Sequence, residues 1–167
     1  MTATATGTSA TSFTNVTTYF ADKMMLLLGN IIRDTGLNMA EFASVRPALE
    51  NGLKIWLESG HLLKVTLEIF KPGTATLIRR WDLDWNKCGA AESGFWIDVA
   101  DIRYHLKKLD VIPGDCKYRF LVDRKPGFPI VAGWSIGSFA DTSGLTRHSL
   151  GTTISAGGYG SGTSYWK

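Results

Sequence analysis

The residues best spaced for chemistry in this chain lie close to its C-terminal end. Gly133-Trp134-Ser135-Ile136-Gly137 fits the G-x-S-x-G pattern of a nucleophile elbow, and Asp141 and His148 follow in the Ser, Asp, His order of α/β hydrolases. An elbow works because a strand delivers the serine into a tight turn and a helix carries the chain away, leaving Oγ exposed above an oxyanion hole. Here the following residues, GSFADTSG, are poor helix formers, and no alternating βαβ plan precedes them. A small serine hydrolase using Ser135, Asp141 and His148 is therefore the lesser reading.

Other constellations are weaker. Asp82 and Asp84 lie two apart on an expected strand, so both face one side, as a metal or acid/base pair needs. The same placement lets them line a wet face and pair with Arg79, Arg80 or a backbone edge, and that reading is preferred. His61, His105 and His148 have no ligand spacing with one another or with the cysteines, so no metal site is expected. The run GGYGSG at 157–162 neither follows an expected strand nor opens a helix, so it reads as a flexible segment rather than a phosphate loop. Arg79-Arg80, Lys107-Lys108 and Arg119, with Trp81, Trp85 and Tyr118 nearby, could form a nucleic-acid surface. The same aromatics at period two read more simply as core residues, and a net charge of +3 with interspersed signs does not indicate a nucleic-acid partner.

These groups need a frame to hold them. With 167 residues, 44% of them apolar, the chain suits one core and one domain. Residues 1–12, rich in Thr, Ala and Ser, show no periodicity and read as a disordered arm. Phe13, Val16, Phe20, Met24, Leu27 and Ile31 then mark one face of a helix that Gly36 ends. Asn38 and Glu41 have capping-box spacing and open a segment that Pro47 either kinks or divides, with Leu49, Leu53, Trp56 and Leu57 beyond it and Gly60 as its stop.

From there the period drops to two. Leu63, Val65, Leu67 and Ile69 alternate with Lys64, Thr66 and Glu68 as a strand with one wet face. A Pro72-Gly73 turn leads to a second strand from Ala75 to Trp85, and a loop through Gly89 and Gly94 follows. Asp98 caps a helix whose face is Ile102, Leu106 and Leu109, and 117–123 form a third strand. The result is an α+β arrangement of helices on a small antiparallel sheet, divided as arm 1–12, core 13–132 and tail 133–167.

That tail has the Gly, Ser and Thr content of a linker, yet carries Trp134, Phe139, Leu145, Leu150, Ile154, Tyr159, Tyr165 and Trp166. Such residues need a surface to cover, and a three-stranded sheet offers two open edges. A mobile, two-state clasp over a peptide groove follows from this. Cys88 and Cys116 sit in no C-x-x-C pair and read as reduced thiols. With no basic leader, and with an apolar run at Met24 to Leu28 too short to span a bilayer, the chain is expected in the cytoplasm, without a membrane.

Laid out in this way, the sequence resembles the bacterial HORMA domain proteins of cyclic-oligonucleotide-based antiphage defence (CBASS), from about Phe13 to Trp166. The pieces that carry the resemblance are KIWLESG at 54–60, RRWDLD at 79–84, GFW at 94–96, DRKPGFPIVAGWSIGS at 123–138, SLGTT at 149–153 and the terminal Tyr165-Trp166. It implies a non-enzymatic switch in which helices pack on a sheet and a C-terminal safety belt wraps a short closure-motif peptide. It further implies that the closed form binds and activates a CD-NTase, that an AAA+ remodelling ATPase reopens it by the N-terminal segment, and that any DNA would enter only through the synthase complex; no cofactor is implied. Carried over by position, the peptide would meet Tyr118, Arg119, Phe120, Leu121, Val122, Trp134, Phe139 and Leu145. The belt latch would be Leu150, Ile154, Tyr165 and Trp166, paired against the strand from Ala75 to Asp84.

Overall fold

A computed structural model describes the backbone of residues 2–87 and 95–167 and the side chains of 13–87 and 95–167. Cys88 and the loop through Gly89 and Gly94 lie outside the described residues. Helix α1 (Thr2–Thr35) buries the expected stripe of Val16, Phe20, Met24, Leu27 and Ile31. Its backbone is helical from Thr2, where the sequence suggested a disordered arm because no apolar stripe begins before Phe13. Gly36, at φ +83°, closes the helix: its N–H bonds Arg33 O while Leu37 N–H reaches back to Ile32 O.

Helix α2 (Met39–Glu58) is capped by Asn38, whose Oδ1 accepts from Ala40 N. Pro47 lies inside this one continuous helix rather than starting a second. Phe42 before it and Leu49, Leu53, Trp56 and Leu57 after it are all buried, and that packing outweighs the one hydrogen bond proline cannot donate. Gly60 ends α2 as Gly36 ends α1, with His61 N bonded to Trp56 O and Gly60 N to Leu57 O.

The sheet is antiparallel throughout, in the order β4 (Trp96–Ile97), β6 (Arg147–Ala156), β7 (Tyr159–Trp166), β2 (Leu77–Asp84), β1 (Leu62–Phe70), β5 (Lys117–Arg124), with the short β3 (Asn86–Lys87) paired to β7. The expected three strands are its β2-β1-β5 half, and the tail builds most of the other half. A bulge shifts the β1 to β5 register between Leu62 and Lys64, so Leu62 turns inward and Leu63 is exposed, the reverse of the unbroken alternation. Helix α3 (Val99–Lys108) begins at Asp98, whose Oδ1 accepts from Asp101 N, and buries Ile102.

Helices cover one face of the sheet over Val65, Leu67, Ile69, Trp81 and Leu83. The opposite face, expected to be wet, is not. Thr66, Glu68, Arg80 and Asp82 on it are each less than a tenth exposed.

Candidate functional site: a latched belt and an open strand edge

The polar face is dry because the tail crosses it. At its root, Trp134 Nε1 donates to Ala48 O on α2 at 2.9 Å, and Trp56 Nε1 donates to Pro129 O at 2.8 Å. The two indoles meet edge to face at 5.0 Å. Gly52 makes room for them, since a Cβ there would lie 2.6 Å from Trp134 Nε1. After this root the chain passes the outer edge of β5 and returns over the polar face. There Glu68, fully buried, accepts from Ala140 N and from Arg119 Nε, each at 2.7 Å. Arg119 Nη2 in turn donates to Ser138 O at 2.8 Å, and Phe139 lies under the cations of Arg80 and Lys64.

Beyond the crossing, the tail becomes the β6-β7 hairpin. Gly157 and Gly158, both at positive φ, form its two-residue turn between the paired Ala156 and Tyr159. The run GGYGSG is therefore turn and strand, not a flexible insert. Gly162 N donates to Asp84 Oδ1 at 2.8 Å, and Trp166 Nε1 reaches Asp82 Oδ2 at 3.4 Å. Asp82 also accepts from Thr66 Oγ1 and Arg80 Nε. The preferred reading of these two aspartates holds for their partners, Arg80 and a backbone edge, but not for the wet face, since Asp82 is buried beneath the tail. What it missed is that the edge belongs to the latch.

Of the latch residues expected from sequence, Tyr165 and Trp166 sit in β7 directly opposite Trp81 and Arg80. Leu150 and Ile154 lie one strand farther out on β6, so the pairing with β2 runs through Thr163–Trp166 and not from Leu150 onward. Ile154 is buried and its strand is held on the far side by β4 and by Asp98 N donating to Thr153 O at 2.7 Å. Tyr165 packs between Trp81, whose ring is tilted against it, and the stacked ring of His148, with its hydroxyl 3.3 Å from His105 Nδ1.

Because the hairpin occupies the β2 side, β5 ends the sheet with no strand on its outer edge among the described residues. A groove of about 590 Å3 runs between that edge and α2. Tyr118, Arg119, Phe120 and Trp134, four of the residues expected to meet a peptide, line it. Leu121 packs on the polar face below Gly137, Val122 packs against the core, Phe139 lies across the sheet, and Leu145 sits in the turn entering β6; none of these four lines the groove. The α2 wall, including Glu41, Val45 and Ala48, is not among the residues expected to meet a peptide; Glu41 reads from sequence only as part of a capping box.

Tyr118 O–H donates to Asn38 O at 2.6 Å. Burial, then the nearby Glu41 carboxylate, push its pKa from 10.0 up to about 12, with a backbone hydrogen bond from Phe42 opposing. A raised folded-state value means the phenol's contribution to stability is complete below pH 10 and is lost as pH rises from 10 toward about 12. Phenolate absorbance should show Tyr118 in a late-titrating phase, to which Tyr19, also raised by burial, adds; Tyr118→Phe should diminish that phase and remove its share of the alkaline stability loss. An unchanged titration curve in the variant would contradict the assignment.

The serine constellation does not assemble. Asp141 is bound by the N–H and hydroxyl of Ser143, which lower its pKa; His148 stacks on Tyr165; Ser135 borders the groove. No hydrogen bond joins any two of the three among the described residues. The basic residues weighed for nucleic acid are equally dispersed. Arg79 is buried on the helix side and donates to Asp110 O, Arg80 lies on the opposite face, and Arg119 is held by Glu68. Among the described residues, no three His, Cys, Asp or Glu side chains gather as a metal site, and no helix is long and apolar enough to cross a membrane. Cys116 is buried and free.

Helices on one face of a sheet, with a C-terminal segment strapped over the other and latched at the far side, define a HORMA domain. The chain belongs to the bacterial HORMA domain 2 family, whose sequence model matches residues 4–167. Solved structures share the fold at low identity. One is a chain of the mitotic checkpoint complex, 11% identical with TM-score 0.71, over 93% of this chain and 96% of that one. Another is C. elegans HTP-1 bound to the HIM-3 closure motif, 12% identical with TM-score 0.67, over 95% and 89%. A third, from the E. coli MS115-1 CdnC:HORMA-deltaN complex, is 14% identical with TM-score 0.56, over 89% and 85%. No curated protein matches.

Proposed function

We propose that this protein is a non-enzymatic, peptide-sensing switch of bacterial antiphage defence, working in the cytoplasm. A short closure-motif peptide adds as a strand to the outer edge of β5 and is enclosed by the belt between its root at Trp134 and its clasp at Glu68. So closed, the protein binds and activates a CD-NTase that makes a cyclic oligonucleotide. An AAA+ ATPase reopens it by pulling on residues 1–12, and any DNA meets the assembly only through the synthase.

The observation that carries this reading is the unpartnered β5 edge beside a groove of about 590 Å3, with the belt tied down on either side of it. Strand addition takes its affinity from backbone groups, and β5 presents such a row. C. elegans HTP-1 is bound to a closure motif in its structure, and the E. coli HORMA protein is in complex with CdnC; both support the partner classes.

Limited proteolysis tests the switch. With a bound peptide, the stretch from Ser135 to Thr146 should be protected relative to the free protein; equal digestion in both states sinks the safety-belt idea. A pull-down from the native host should bring a nucleotidyltransferase and an AAA+ ATPase with it. Recovery of neither would leave the defence role without support.

A further inference from the structure

The groove is chemically unequal along its length, and this points to the kind of peptide it takes. The inference rests on the peptide-switch reading. At one end Val45, Ala48, Leu49, Phe120 and the Trp134 indole form apolar walls. The indole N–H there is already spent on Ala48 O. At the other end Glu41 is the acidic lining residue, beside Tyr118, whose hydroxyl is spent on Asn38 O.

Glu41 has one cation partner, Lys117, at 3.2 Å, and the Lys117 side chain is 73% exposed. Such an exposed pair is worth at most about 1 kcal/mol, so an incoming cation displaces it readily. The groove's own guanidinium, Arg119, is engaged on the opposite face by Glu68 and Ser138 O. Nothing positive inside the groove therefore offsets Glu41 toward a ligand.

Side-chain alternation turns these two ends into a spacing. The residues of β5 whose side chains face α2 are Tyr118, Phe120 and Val122, and an added strand sends every second side chain to that same side. Same-side residues of a strand lie roughly 6.7 Å apart. Along α2 the rise from Glu41 is about 6 Å to Val45 and about 10.5 Å to Ala48, so neighbouring inward positions match Glu41 and the near, Val45 part of the apolar end, with Ala48 beyond it.

We propose that the occupant is an extended peptide with an apolar side chain seated against Val45, Ala48 and Trp134, and a lysine or arginine two residues from it facing Glu41. The apolar residue supplies buried area where no hydrogen bond is offered, and the cation supplies discrimination, because an acidic residue at that position would bring a second carboxylate beside Glu41 with only the exposed Lys117 to share between them.

A displayed library of random decapeptides selected on the full-length protein reads this directly. Wild type should enrich an aliphatic or aromatic residue two positions from Lys or Arg. Glu41→Lys, at a partly exposed site that leaves the core untouched, should keep the apolar preference and switch the second to Asp or Glu. The same variant should bind a synthetic peptide from the wild-type selection at least about tenfold more weakly. Ala48→Phe fills the apolar end and should abolish binding of that peptide, with circular dichroism confirming the fold. Peptides enriched without this spacing, or an unaltered selection on Glu41→Lys, overturn the preference while strand addition stands. Failure to enrich any peptide, or binding that survives Ala48→Phe, overturns the groove reading itself.

Discussion

Glu68→Ala is expected to loosen the belt and lower stability by about 2 kcal/mol, more than its position on an expected wet strand face would suggest. Glu68 is fully buried, and both carboxylate oxygens are used: one by Arg119 Nε, the other by Ala140 N, each at 2.7 Å. Removing the carboxylate leaves the belt N–H without its acceptor and frees the guanidinium that also holds Ser138 O. Breaking a fully buried pair costs roughly 3–5 kcal/mol; the Arg119 side chain is 45% exposed, so solvent recovers part of that. Glu68→Gln should fall between, because an amide keeps one acceptor and turns its NH2 toward a second donor. Urea unfolding gives the stability change, and protease cleavage between Ser135 and Thr146 should accelerate. A midpoint and cleavage rate equal to wild type would show that the clasp contributes nothing.

The second large effect is expected at the belt root. Helix propensity alone says that Gly52→Ala stabilises α2 by about 1 kcal/mol. The packing says the opposite. A Cβ at residue 52 would lie 2.6 Å from Trp134 Nε1 and 2.8 Å from Trp56 Cζ3, and both rings are fixed by hydrogen bonds, to Ala48 O and Pro129 O. Neither indole can give way without losing its partner. Overpacking of this kind costs about 1–3 kcal/mol, and the lost indole hydrogen bond about 1 more, so Gly52→Ala should be net destabilising and Gly52→Leu more so. Thermal melting gives the sign, and near-ultraviolet circular dichroism reports the two tryptophans. A higher melting temperature in Gly52→Ala would mean that Trp134 does not anchor the belt there.

Both predictions concern contacts between residues far apart in the chain, and the same division separates what could be read early from what could not. Periodicity located α1, the β1 and β2 strands and the Asp98 cap, because those depend on spacings of two to four residues. Likewise, the aromatic content of 133–167 was enough to mark it as a segment that covers something. Distributed likeness to HORMA sequences then supplied the belt. The GWSIG serine was legible as a motif and still misled, since a pattern of that length carries no information about whether Asp141 and His148 can reach it.

By itself the sequence determined the helices, the three-stranded half of the sheet and the adhesive character of the tail, since apolar stripes, caps and glycine stops act locally. Tertiary structure alone decided where the tail went. Whether Thr66, Glu68, Arg80 and Asp82 face water or belt, whether Asp84 is a lone carboxylate or the acceptor for Gly162, and whether GGYGSG is loose or a paired strand all depend on which sheet edge the hairpin takes. That choice leaves the β5 edge open. It is set by partners more than seventy positions apart, such as Glu68 with Ala140 and Ala48 with Trp134, and no local period encodes them.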